Sequence, residues 1–193
     1  MLVVLFKHWR QQMEQNHIIL DSADIHRIIT RISHEILEKH KGADNLTLIG
    51  IHTRGVYLAK RIQSIIKKIE GVEIPTGDMD ITLYRDDWTK ITNNPVVQNT
   101  DITFSVDGKQ IILIDDVLFT GRTIRAAMDS IVDFGRPDRI ELAVLVDRGY
   151  RELPIQANYV GKVVATRRSE TINVLLTECD DKDQVVIEKK SSK

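Results

Sequence analysis

Cysteine is almost missing from this chain. Cys179 stands alone among 193 residues. That excludes an internal disulfide and a metal centre built from several cysteines, and it fits a reducing compartment. An excess of charge of either sign is missing too. Lys and Arg number 27 against 28 Asp and Glu, for a formal net charge of -1. No overall field therefore advertises a nucleic-acid or membrane partner, although a local basic face remains open to that use. A membrane-spanning run is also lacking. The apolar start, residues 1–6, is far too short to cross a bilayer, and its basic residues follow it instead of preceding it as in a secretory signal. Residues 1–16 read as a frayed extension, residues 17–190 as one domain, and the expected location is the cytoplasm. Internal repeats and low-complexity tracts are absent.

What is present is an alternation of helical and strand patterns. Ile25, Ile28, Ile29, Ile32 and Ile36 recur at helical spacing over residues 22–40, with Asp21 or Ser22 to cap the start and Gly42 to stop the run. Residues 46–51 are continuously apolar, as in a strand buried on both faces. Residues 56–69 are helical again, and residues 78–84 read as a strand with Ile81 and Leu83 alternating. Residues 86–109 carry Asn, Pro, Asp and Gly with little periodicity, which predicts a long mobile loop or an exposed hairpin. A strand at 111–114, a helix at 122–134 and a strand at 140–146 follow. Short strands are expected at 159–164, 172–176 and 185–187. The pattern predicts an α/β fold with a mostly parallel central sheet flanked by helices on both faces.

The strongest chemical signal begins where the strand at 111–114 runs into Asp115 and Asp116, followed by Val117, Leu118, Phe119, Thr120, Gly121, Arg122 and Thr123. In parallel α/β sheets, ligands bind beyond the carboxyl ends of the strands. A helix opening near Arg122 aims free N–H groups and positive partial charge at the loop. Thr120 and Thr123 add hydroxyls, and Gly121 allows close approach of the backbone. Two carboxylates cannot hold a phosphate, because like charges repel. They suit the diol of a sugar, or Mg²⁺ held through water. Phosphate at one end and hydroxyls at the other describe a ribose 5-phosphate. The Gly-Lys-Ser/Thr of a Walker A loop does not occur at the required spacing. A second strand–loop–helix anion site is formed by Thr53, Arg54 and Gly55 after the strand at 46–51.

The segment from Asp115 to Thr123 resembles the motif of type I phosphoribosyltransferases that binds phosphoribosyl pyrophosphate (PRPP). The likeness implies that fold, with a small hood and a flexible loop. It also implies that Asp115 and Asp116 hold the ribose hydroxyls, that residues 117–123 hold the 5-phosphate, and that Thr53, Arg54 and Gly55 bind pyrophosphate. Mg²⁺ is then expected to bind mainly through the substrate, with Asp115 and Asp116 as possible protein contacts. Arg85, Asp86 and Asp87 open the candidate lid. Ile32 to Ile36, Ile81 to Asp87 and Leu145 to Gly149 extend the likeness to the PyrR family, over about residues 18–187. That resemblance implies uracil phosphoribosyltransferase activity, with substrate contacts at Arg148 and Ile172. It also implies uridine-nucleotide-responsive binding to pyr mRNA that promotes transcription attenuation, and a dimer or higher homo-oligomer.

Arg27, Thr30, Arg31 and His34 share one face of the first helix, opposite its isoleucines, and the resemblance matches Thr30, Arg31 and His34, with Arg151 and Lys162, to the RNA surface of that family. Tyr150 stands where RNA-binding members carry His, Gln156 where they carry Arg, and Lys39 where Arg is common. A lost guanidinium removes a bidentate phosphate contact. Three readings stay open: an enzyme that also regulates through RNA, an enzyme that has lost the RNA, and a PRPP or nucleotide sensor with little catalysis; against a further one, a phosphoribosyltransferase for a purine or orotate, stand the PyrR-like stretches outside the phosphate motif.

Overall fold

The computed structural model describes residues 17–84 and 100–189. Five strands form one parallel sheet in the order β3-β2-β4-β5-β6: β2 (Leu46–Ile51), β3 (Thr76–Met79), β4 (Gln110–Leu118), β5 (Arg139–Asp147) and β6 (Tyr159–Val163). The inner strand β2 is buried at every position, which is why it shows no alternation. Helices α1 (Ser22–His40) and α2 (Arg54–Glu70) cover one face. Helix α3 (Arg122–Phe134) covers the other. A second, antiparallel sheet forms the hood, in the order β1-β8-β7: β1 (His17–Leu20), β7 (Glu170–Leu175) and β8 (Gln184–Lys189). A four-residue helix, α4 (Thr177–Asp180), joins β7 to β8. The fold class read from the sequence is the one observed.

Three local expectations change. The strand expected at 78–84 ends at Met79, and residues Thr82–Tyr84 wind into a short 3-10 turn. The cause is Asp80, whose carboxylate accepts bonds from the Thr82 N–H and hydroxyl at 2.8 and 2.5 Å and pulls the backbone off the ladder. Of the segment 86–109, residues 86–99 lie outside the described part, and so do the candidate lid residues Arg85, Asp86 and Asp87. Residues 100–109 are not a loose loop: Asp101 bridges Asp78, Val106 is fully buried, and Ile102 and Phe104 pack against the core under α3. Finally, β4 continues through both carboxylates to Leu118, so Asp115 and Asp116 sit on a strand and not in a loop.

At the amino end of the sheet a polar cluster ties α1 to three strands. Glu141 is buried and receives bonds from the Tyr159 hydroxyl at 2.6 Å, Lys39 at 2.9 Å and His40 at 3.0 Å, and His40 also meets Gln110. Burial opposes the Glu141 charge, but these bonds outweigh it and hold the carboxyl at about 2. Lys39 thus serves as an internal ligand.

At the carboxyl end, glycine sets the geometry. A Cβ on Gly55 would lie 2.4 Å from the Ile114 carbonyl oxygen, and one on Gly50 would lie 2.5 Å from the Val56 Cα. Helix α2 therefore presses its first turn against β2 and β4 beside Asp115. Gly55→Ala is expected to overpack this contact and cost ~1–3 kcal/mol in urea unfolding. An unchanged midpoint would show that the helix does not press there.

Candidate functional site

The first helix shows what this chain does when it caps a helix. Asp21 accepts from the Asp24 N–H at 2.8 Å and Asp24 reaches back to the Asp21 N–H, a complete capping box. Helices α2 and α3 are left otherwise. Their N-cap residues, Thr53 and Gly121, make no side-chain capping bond, and neither first turn carries an acid. Both starts follow directly on the parallel strands β2 and β4, at the carboxyl edge. Their dipole ends thus face the same edge with no acid beside them, and the Arg122 N–H meets the Thr120 hydroxyl at 3.4 Å.

Asp115 and Asp116 lie between these two helix starts. Asp115 is 7% exposed and Asp116 half-buried. Asp115 Oδ1 accepts from the Asp116 N–H at 2.9 Å, and Asp116 Oδ1 from the Val117 N–H at 2.8 Å. Burial raises the Asp116 pKa, against the hydrogen bond with Asp115 and the charge of Arg54. The charge of Arg54 thus acts on Asp116, which links the start of α2 to the carboxylate pair. The His52–Thr53 peptide that leads into α2 is cis.

The loop from Phe119 to Gly121 is held from behind. Gly121 takes φ +90°, and a side chain there would meet Ile155 at 3.3 Å. The Thr120 carbonyl accepts from the Glu152 and Leu153 N–H groups at 2.9 and 3.2 Å. Arg122 pairs with Glu152 at 2.7 Å. Arg151 donates to the Phe119 carbonyl at 2.9 Å and the Ile155 carbonyl at 3.0 Å, and pairs with Asp147. Arg148 is 6% exposed and donates to the Glu170 carbonyl at 2.9 Å, while its guanidinium lies 4.2 Å over the Phe119 ring. Burial lowers its pKa, and its Nε has no hydrogen-bond partner among the described residues. Arg148 therefore spans from the loop at Phe119 to hood strand β7, in which Ile172 lies, buried in the core under the hood.

The sequence-derived RNA residues divide. Arg27, Arg31 and His34 are exposed along α1, and Lys162 is exposed on the adjacent edge strand β6. Arg31 donates to the Val160 and Gly161 carbonyls at 3.0 and 2.7 Å and pairs with Glu35 at 2.5 Å, and Lys162 donates to the Ile19 carbonyl at 3.0 Å. Arg27 pairs with Asp24 at 2.6 Å, and the Thr30 hydroxyl bonds the His26 carbonyl at 2.9 Å. Arg151 is not with them; it stands behind the phosphate loop. Tyr150 stays exposed, but its hydroxyl donates to the Thr166 carbonyl at 2.7 Å and its ring lies edge-on to Phe119. Gln156 is exposed. Sequence reading missed Asp180, which meets Arg54 across the site. The signal was an acidic run, Glu178 to Asp183, complementary to Arg54 and Arg61 two turns apart on α2.

The phosphoribosyl transferase domain model matches residues 15–175. The solved hypoxanthine phosphoribosyltransferase of Staphylococcus aureus superposes with a TM-score of 0.62 at 20% identity, over 81% of this chain and 82% of that one. The hypoxanthine-guanine phosphoribosyltransferase of Bacillus anthracis does so with 0.67 at 16% identity, over 89% and 96%. These likenesses speak for the fold, which is that of the type I enzymes. Sequence relatives are nearer. The Bifunctional protein PyrR of Desulfosudis oleivorans is 56% identical over 91% of this chain and 98% of its own. That of Clostridioides difficile is 58% identical over 88% and 96%. The protein therefore belongs to the phosphoribosyl transferases and, among them, to the bifunctional PyrR family.

Proposed function

We propose that the protein transfers the ribose 5-phosphate of PRPP onto uracil, giving UMP and pyrophosphate, and that it also binds pyr mRNA in response to uridine nucleotides. The observation that carries the enzymatic reading is the pair of helix starts, both without an acid in the first turn, flanking Asp115 and Asp116 at one sheet edge. One start suits the 5-phosphate and the other the diphosphate, with the acids between them for the ribose diol.

In the reaction the bond from C1 of the ribose to the diphosphate breaks, the bond from the base nitrogen forms, and the base gives up its N–H proton. Positive charge builds on the sugar and negative charge on the leaving group, so no protein nucleophile is required. The N–H groups of Thr53, Arg54 and Gly55 and the Arg54 guanidinium receive the growing diphosphate charge. Thr120 and Thr123, with the start of α3, fix the 5-phosphate. Asp115 and Asp116 accept from the ribose hydroxyls and orient C1. Arg148 and Ile172 face the base side. Among the described residues no group of three or more His, Cys, Asp or Glu is placed to cage a metal. Asp115 and Asp116 would help hold Mg²⁺ that accompanies the diphosphate. Bound there, Mg²⁺ would supply charge neutralisation at the leaving group.

A surface of Arg27, Thr30, Arg31, His34 and Lys162 along α1 and β6 supports RNA phosphate contact, with Arg151 a further family position. A second reading, an enzyme without the RNA role, is favoured by one observation: Arg31, Lys162, Arg151 and Tyr150 all spend donors on backbone carbonyls of their own chain. Self-association and a place in the cytoplasm belong to the same proposal.

With PRPP and Mg²⁺, uracil is expected to yield UMP and pyrophosphate, while hypoxanthine, guanine and orotate yield no nucleotide. Product from a purine alone would overturn the substrate, and no product from any base would favour a sensor. For RNA, UMP is expected to tighten binding to a pyr leader and Arg31→Ala to weaken it about tenfold, as for a lost charged contact. Indifference to both changes would establish the second reading.

A further inference from the structure

Arg54 carries the diphosphate end of the proposed site, yet its long side chain has many rotamers to lose before it can meet an anion. In the structure that freedom is already gone. Its Nε donates to Asp180 Oδ2 at 3.2 Å, and its Nη2 donates to Oδ1 at 2.9 Å and to Oδ2 at 3.0 Å. One edge of the planar guanidinium is thus clamped by the hood. The opposite edge, Nη1, makes no hydrogen bond among the described residues. Asp180 is itself fixed: its Oδ2 accepts from the Leu176 N–H at 3.1 Å and from the Cys179 thiol at 3.1 Å. The Cys179 bond first, then those from Leu176 and Arg54, hold its carboxyl at about 2, so it stays ionised near neutrality.

Docking of the hood does not account for this pair. Two turns along the same helix, Arg61 binds Glu178 at 2.6 and 2.8 Å and Asp183 at 2.7 and 2.8 Å, and also reaches the Thr177 hydroxyl at 3.0 Å. That network ties segment 177–183 to α2 without using Asp180. Asp180 stands apart from it, at the helix start, where Arg54 also interacts with Asp116 of the PRPP motif. We propose that Asp180 is a positioning residue of the hood that holds the Arg54 guanidinium edge-on, so that its Nη1 edge is presented to the diphosphate of PRPP and of released pyrophosphate. This rests on the reading of Arg54 as the diphosphate contact. Immobilising one such side chain in advance is worth up to about tenfold in affinity.

The test is a double-mutant cycle with Asp180→Asn, Arg54→Ala and the pair, on the full-length protein. PRPP affinity is measured calorimetrically with Mg²⁺ and no base, alongside the inhibition constant of pyrophosphate and the KM for uracil. D180N is expected to weaken PRPP and pyrophosphate about tenfold while leaving the KM for uracil and the melting temperature unchanged. It should have no further effect once Arg54 is alanine, and Asp180→Glu should recover part of the loss. Tighter pyrophosphate binding in D180N would overturn the proposal, because Asp180 would then compete with the ligand for Arg54. An equal loss in the R54A background would overturn it as well, because Asp180 would act elsewhere. Should D180N fail to fold, the comparison of D180E with wild type in both Arg54 backgrounds gives the same split. If wild-type protein bound no PRPP, the functional reading and this inference would both fall; normal PRPP binding by D180N sinks the inference alone.

Discussion

The site depends on how closely helix α2 approaches the sheet. Gly50 and Gly55 remove the two side chains that would hold it off, and the first turn of α2 comes to rest on the Ile114 carbonyl, one residue before Asp115. Two helix dipoles then converge on a strand that carries two adjacent acids. The positive helix ends and the two acids attract one another, and each keeps capacity for a ligand. The carboxylates accept from their own backbone and can take further donors, and the positive helix ends attract anions. A sugar with phosphates at both ends supplies both, in the right order along the edge.

A second theme is how the chain uses arginine. Arg148, Arg151, Arg54 and Arg61 each join the parallel sheet or its helices to a segment of the hood or to the phosphate loop, mostly through fixed bonds to carbonyls or paired acids. The planar guanidinium suits this work, since one fork can satisfy several acceptors with little further loss of freedom. The loop that would hold the 5-phosphate is shaped by Arg151, Asp147 and Glu152 behind it, and needs little rearrangement before binding. The same economy bears on RNA: donors on α1 and β6 are partly engaged at home, and any RNA would have to share or displace those bonds.

Much of this was legible in the sequence, for physical reasons that differ by element. The carboxylate pair and the loop to Thr123 stand out because a buried parallel strand, an acid pair and an uncapped helix start occur in immediate succession. Helices α1 and α3 declare themselves through isoleucine spacing and local stops. Strand β1 does not, because His17–Leu20 is too short for a periodic signal and owes its conformation to Val185, Val186 and Ile187 at the far end of the chain. The turn at Asp80 was hidden by Ile81 and Leu83, whose alternation suggested a strand, while one carboxylate decided otherwise. Ile102, Phe104 and Val106 do alternate, but polar neighbours made the segment read as loop. The partnership of Asp180 with Arg54 is invisible to any local pattern, since 126 positions separate them.

The claim on which the account rests is that Asp115 and Asp116 grip the ribose of PRPP. Calorimetric titration of Asp115→Asn and Asp116→Asn with PRPP and Mg²⁺ tests it most directly, with circular dichroism to verify folding. Each substitution should weaken binding roughly 10- to 100-fold, the worth of a charged hydrogen bond, and depress UMP formation with it. Affinity and turnover equal to wild type in the doubly substituted protein would contradict the account.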